Sequence, residues 1–243
     1  MASSHCIQNP PILNPNYGKG QLQQLAGLNT YISGPSDSNL AIILASDVFG
    51  YESPQLRKLA DRVAAAGYLV VVPDFLYNDP VNLSNPEFDG DTWLKNHDTA
   101  KGCEDCKGVI GELKSRGISA IGAAGFCWGG MLVVKLASCH EIQAAVILHP
   151  GWITAEEIHG VKVPTAILGA EIDQVSPPEL MKQFGQILAQ KFQLESYVKI
   201  FPGVVHGWTV RYDEEDDLAV KSAEEAHSHM LDWFTKFVKI QDM

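Results

Sequence analysis

The chain has 243 residues, 46% hydrophobic and 19% charged, a composition suited to a globular domain with a sizeable core. Its net charge of -11 excludes the basic face that nucleic acid or an anionic membrane surface would recognise. The first twenty residues carry no basic, apolar leader, no apolar run is long enough to span a membrane, and the five cysteines follow no disulfide-framework spacing, so a cytoplasmic location is expected.

Taken in order, residues 1–20 are rich in Pro and Asn and read as a surface arm, with residues 21–243 as one domain. Gln21 to Ser33 alternates around Ala26-Gly27, which predicts a β-hairpin. Leu40 to Ala45 is an aliphatic run of the kind buried on both faces of a parallel sheet, and Ser46-Asp47-Val48-Phe49-Gly50 follows it. Ser53-Pro54 opens a helix with Leu56, Leu59, Ala60 and Val63 on one face, closed by Gly67. Tyr68 to Pro73 is a second buried strand, ending at Asp74. Tyr77 to Asp98 has no periodicity and reads as a long connection.

Thr99 to Arg116 predicts a helix with Cys103, Cys106, Ile110 and Leu113 on one stripe, so the Cys103-x-x-Cys106 pair reads as packing rather than as a metal or redox site. Three further strands follow: Ile118 to Gly125, Ala144 to Leu148 and Thr165 to Gly169. Ser176-Pro177-Pro178-Glu179 has the form of a capping box. Tyr197 to Phe201 is the last strand, with His206 five residues beyond it, and about Glu215 to Lys239 forms a closing helix. This alternation predicts an α/β fold: a doubly wound, mostly parallel sheet with an antiparallel N-terminal hairpin and helices on both faces. Sites in such sheets lie at the strand carboxyl ends, a rule that collects Asp47, Asp74, Cys127, His149, Asp173 and His206.

Gly125-Phe126-Cys127-Trp128-Gly129-Gly130 is a nucleophile-elbow pattern, with cysteine where serine is usual. A thiol attacks as thiolate, and a neighbouring imidazole and a helix N-terminus both favour that form. Cys127, Asp173 and His206 occur in the order nucleophile, acid, base, with Glu171 as the competing acid. The backbone N–H groups of Trp128 and Val48 are the expected oxyanion donors. His149 reads as capping a strand end, and Asp213 to Asp217 as the solvated start of the closing helix.

These segments, together with Val72-Pro73-Asp74, Gly169 through Pro177 and Val205-His206-Gly207-Trp208, resemble the dienelactone hydrolase family, closest to its eukaryotic, carboxymethylenebutenolidase-like branch. The resemblance implies an α/β-hydrolase fold and a Cys127, Asp173, His206 triad cleaving lactones and other esters without cofactor or metal. In the bacterial enzymes a glutamate stands at the position of Asp47 and touches the resting thiol, and two arginines hold the substrate carboxylate. Here Phe75-Leu76-Tyr77-Asn78 follows Asp74 without an arginine, and Arg211 alone remains near His206, either in a surface ion pair or on a substrate carboxylate. Asp47, Phe49, Tyr51, Tyr77, Trp128 and Trp208 would then line a pocket for a larger, less charged ester than dienelactone. The expected partner is that small molecule, bound by a monomer. The alternatives are a receptor-like protein with negligible turnover, a cyclase or lyase using the same pocket, and the β-glucanase activity ascribed to some plant relatives, for which only Asp47 and Asp173 offer paired carboxyls.

Overall fold

A computed structural model describes residues 4–240. Its centre is one eight-stranded sheet in the order β1-β2-β4-β3-β5-β6-β7-β8. β1 (Gln21–Leu25) and β2 (Leu28–Ser33) form the antiparallel hairpin, and β2 joins β4 (Leu69–Pro73) antiparallel. From β4 the sheet runs parallel through β3 (Leu40–Ala45), β5 (Ala120–Phe126), β6 (Ala144–Leu148), β7 (Thr165–Ile172) and β8 (Ser196–Val205).

The two-residue period of a strand divides its side chains between the two faces. In β3, Ile42 and Leu44 join one apolar cluster while Ala41, Ile43 and Ala45 join the other. The first cluster receives Leu56, Leu59 and Val63 of α1 (Pro54–Ala64) and Met230 and Phe234 of α7 (Asp217–Phe237). The second receives α3 (Thr99–Ser115), α4 (Trp128–Ala137), α5 (Ala155–Gly160) and α6 (Pro178–Ala189), through Cys103, Cys106, Leu132, Ile158 and Met181. Each fully buried Leu or Met contributes about 1.5–3 kcal/mol. No described helix is long and apolar enough to cross a membrane.

Several expectations are corrected. The connection after Tyr77 contains α2 (Gly90–Asn96), whose N-cap Asp89 accepts from the Thr92 N–H. α5 was not expected from the sequence; Thr154 and Glu157 form a full capping box there. At α6 the predicted box is absent: Pro177 is the N-cap, and the Ser176 hydroxyl donates to the Pro150 and Gly151 carbonyls instead. β8 continues through Pro202-Gly203 to Val205, so His206 follows the strand directly. The arm is not purely a surface feature. Cys6, in a short 3-10 turn at Ser4–Ile7, is 1% exposed.

Candidate active site

The elbow sits between β5 and α4. Cys127 has φ 50° and ψ -107°, a backbone conformation that non-glycine residues adopt at a cost of about 1–3 kcal/mol and that concentrates at functional sites. The surrounding chain holds it there. The Cys127 N–H donates to the Leu148 carbonyl at 3.2 Å, and the Gly151 N–H donates to the Cys127 carbonyl at 3.0 Å. Gly129 donates to the Ser46 carbonyl at 3.0 Å, drawing the loop after β3 against the elbow, and a Cβ on Gly129 would lie 2.1 Å from the Ala45 carbonyl oxygen. That close approach requires glycine.

Asp173 and His206, from the ends of β7 and β8, meet beside Cys127. The His206 Nδ1–H donates to Asp173 Oδ2 at 2.7 Å, both side chains fully buried, while Asp173 Oδ1 accepts from the Val175 and Ser176 N–H groups at 2.8 and 3.1 Å. These three bonds leave the carboxylate one orientation. Glu171, the competing acid, is exposed and accepts from the Gly203 N–H. Cys6 Sγ, Cys127 Sγ and a His206 ring nitrogen lie within 4.8 Å of one another. His149 is buried with its ring edge-on to His206, centroids 5.1 Å apart, and its Nε2 is 2.8 Å from the Thr209 hydroxyl.

Cys6 joins this group without any signal in the local sequence pattern. Its sulfur is 3.5 Å from that of Cys127 and 3.8 Å from His206 Nε2. The contact to Cys6 lowers the Cys127 thiol well below its usual value; burial opposes this, and the His206 charge assists. A thiolate cannot donate, so the Cys6 S–H is the donor in this pair, and the Cys6 thiol is correspondingly pushed up by that bond and by burial. Burial pushes His206 down, but the Cys127 charge and the Asp173 bond outweigh it and raise the ring from 6.5 to about 9. Burial, assisted by the His206 and Arg211 charges, drives His149 well below 6.5, keeping it neutral.

Arg211 is not on the surface. Its Nε is 3.0 Å from Asp47 Oδ2, with both side chains at least 98% buried, and its Nη1 donates to the Cys6 and Gln8 carbonyls at 2.8 and 2.9 Å. Gly207 makes room for it, with φ +91° and a Cβ position 2.3 Å from Arg211 Nε. Asp47 therefore faces a guanidinium; burial pushes its carboxyl up and the Arg211 charge pulls it back. Arg57 anchors the arm further along, through Nη1 to the Pro15 and Tyr17 carbonyls.

The five aromatics do not line one pocket. Tyr51 packs beside Arg57, Phe49 lies under Arg211, Trp208 is buried against His149 and Phe201, and Tyr77 is 47% exposed with Lys101 over its ring. Trp128 lines a cleft of about 460 Å³ with Leu94, His97, Met131 and Trp152. Trp152 also packs against Cys6, Cys127 and Val175, so the cleft adjoins the thiols. Val48 lies on the turn closed by the Gly50 N–H onto the Asp47 carbonyl, beside the elbow. Cys6, Cys127 and His206 are the one group among the described residues whose ligand atoms lie close enough together to hold a metal ion. Cys103 and Cys106 are both buried in helix packing.

The family model for dienelactone hydrolases matches residues 28–238. The chain belongs to the dienelactone hydrolase family. It is 30% identical to a mouse carboxymethylenebutenolidase homolog over 226 residues, covering 91% of this chain and 92% of that one. It is 38% identical over 201 residues to a maize protein named endo-1,3;1,4-beta-D-glucanase, covering 79% of this chain but only 64% of the maize protein's length. A dienelactone hydrolase from Anabaena variabilis shares the fold, with a TM-score of 0.68 at 16% identity, covering 93% and 100% of the two chains.

Proposed function

We propose that this member of a hydrolase family cleaves lactones or carboxylic esters through Cys127, with His206 and Asp173 completing a triad. The observation that carries the reading is the buried Asp173–His206 bond beside a thiol on a strained elbow. In the first half-reaction the Cys127 thiolate attacks the ester carbonyl. The oxyanion accepts from the Trp128 N–H, which as the first helical donor has no intrahelical acceptor, and from the Val48 N–H across the Ser46–Gly129 bridge. The His206 imidazolium protonates the leaving alcohol, giving an acyl-thiol and a neutral ring. Asp173 holds Nδ1 protonated, so Nε2 is the nitrogen that exchanges protons. Water then loses a proton to Nε2, attacks the acyl carbon and releases the acid and the thiolate.

Asp47 neutralises Arg211 and the arm carbonyls occupy Nη1, which supports an uncharged ester over a carboxylate-bearing lactone. The cleft beside Trp128 and Trp152 would take its apolar portion. A glucanase reading, raised by the maize relative's name, needs two carboxyls free to face a sugar. Asp47 is committed to Arg211 and Asp173 to His206, so that reading has no pair to use. The test is hydrolysis of aryl esters, lactones and β-glucan by purified protein. Turnover of neutral esters that Cys127→Ala reduces to background supports the proposal; equal turnover by wild type and Cys127→Ala contradicts it.

A further inference from the structure

Cys6 forms and breaks no bond to the ester, yet its thiol faces the nucleophile. The two sulfurs are 3.5 Å apart, and closing to the roughly 2.05 Å of a disulfide requires a shift of about 1.5 Å. Cys6 belongs to the arm rather than to the sheet, in a four-residue turn tethered to Arg211 only through backbone carbonyls, so its side chain can swing without disturbing a strand or a long helix. The three other cysteines lie elsewhere: Cys103 and Cys106 in the packing of α3, and Cys139 exposed with its sulfur on the Lys135 carbonyl. A thiolate-forming cysteine with a second thiol in contact is the arrangement that converts oxidation into a reversible bond instead of damage.

We propose that Cys6 is the resolving thiol of a peroxide-driven switch, in which a hydroperoxide oxidises Cys127 and Cys6 then closes a Cys6–Cys127 disulfide that shuts the site. This rests on the reading of Cys127 as an ionised nucleophile. In the first step the Cys127 sulfur attacks the hydroperoxide; the S–O bond forms, the O–O bond breaks, and the leaving alkoxide or hydroxide takes the His206 proton. Sulfur is oxidised by two electrons to sulfenic acid and the peroxide oxygen is reduced. In the second step the Cys6 sulfur attacks the sulfenic sulfur; the S–S bond forms, the S–O bond breaks, and the departing hydroxide takes the Cys6 proton as water. The neutral His206 Nε2, 3.8 Å from Cys6, is placed to relay that proton. A dithiol restores both thiols and leaves as its own disulfide. With the disulfide closed, Cys127 has no thiolate and the elbow is covered by the arm.

The test is peptide mapping by mass spectrometry of wild type and Cys6→Ser after hydrogen peroxide, with and without dithiothreitol, alongside aryl-ester turnover. Wild type is expected to become about 2 Da lighter and to give a Cys6–Cys127 peptide pair that dithiothreitol separates, with turnover falling roughly tenfold or more and returning on reduction. In Cys6→Ser, Cys127 is expected to gain oxygen and, once past the sulfenic stage, to resist reduction. If Cys6→Ser does not fold, Cys6→Ala replaces it, and the wild-type map decides by itself. Sulfinic acid on Cys127 of wild type without the cross-linked pair, or oxidation confined to Cys139, overturns the switch. The map requires no ester turnover: cross-linking in a protein inert toward esters would refute the hydrolase reading and leave the switch standing.

Discussion

At the residue scale, the site's ionisation is set by four groups: Cys6 and His206 hold the Cys127 charge, and Asp173 holds His206. The Asp173→Asn variant keeps the shape but offers an amide where Nδ1 needs an anion, favouring the wrong tautomer. Its kcat/KM for an aryl ester is expected to fall roughly a hundredfold or more, and a loss below threefold would remove Asp173 from the triad. The pH profile carries a sign. Because His206 is raised from 6.5 to about 9, its proton, and the stability it contributes, are fully present below 6.5 and lost as pH rises through about 9. Turnover is therefore expected to decline on the alkaline side near pH 9, since leaving-group protonation fails there. An activity still rising from pH 8 to 10 would contradict that assignment. Cys127, Asp173 and His206 were legible because each ends a strand or turn in the right order. Cys6 was not, because it lies in no periodic segment, and its partner is 121 residues away.

At the element scale, the loop after β8 carries both His206 and Arg211, and the closing helix fixes it. His227 of α7, 3% exposed, donates from Nε2 to the Thr209 carbonyl at 2.8 Å, while the Thr209 hydroxyl meets His149. Burial lowers His227 from 6.5 to about 4. A His lowered on folding contributes stability that is whole above 6.5 and is lost as pH falls toward 4, here about 3 kcal/mol. Denaturant midpoints are expected to drop over that range, and to drop less in His227→Gln, which keeps a donor and cannot charge. A Gly129→Ala change would place a methyl 2.1 Å from the Ala45 carbonyl oxygen, with backbone on both sides unable to yield. It is expected to cost roughly 3 kcal/mol or more in urea unfolding. The regular elements were readable from their periods, but α2 and α5, at seven and six residues, are too short to repeat a face. Pro202-Gly203 looks like a turn in sequence; the outermost strand tolerates it, because an edge leaves one row of N–H groups unpaired.

At the scale of the whole molecule, two buried arginines tie the arm to the sheet's carboxyl edge, Arg57 by Pro15 and Tyr17 and Arg211 by Cys6 and Gln8. A buried arginine has five donors to place, and the arm's backbone carbonyls accept from Nη1 of each without needing a strand or helix, while Arg57 Nη2 and Arg211 Nη2 have no hydrogen-bond partner among the described residues. The mostly parallel sheet, and its carboxyl edge as the place to look for a site, followed from the alternation of elements, while the arm's docking depends on long-range contacts that no local pattern encodes. Removing residues 1–9 is expected to raise the alkylation rate of Cys127 by iodoacetamide about tenfold or more, since the thiol is otherwise fully buried. An unchanged rate would mean that the arm does not govern access.

The proposed hydrolysis turns on acylation of Cys127. Acid-quenching the protein within the first turnovers of an activated aryl ester and mapping the added mass addresses it directly. One acyl group is expected, carried by Cys127 and lost again with the kinetics of product release. An acyl group on another residue, or turnover with no adduct and an unimpaired Cys127→Ala variant, would contradict it.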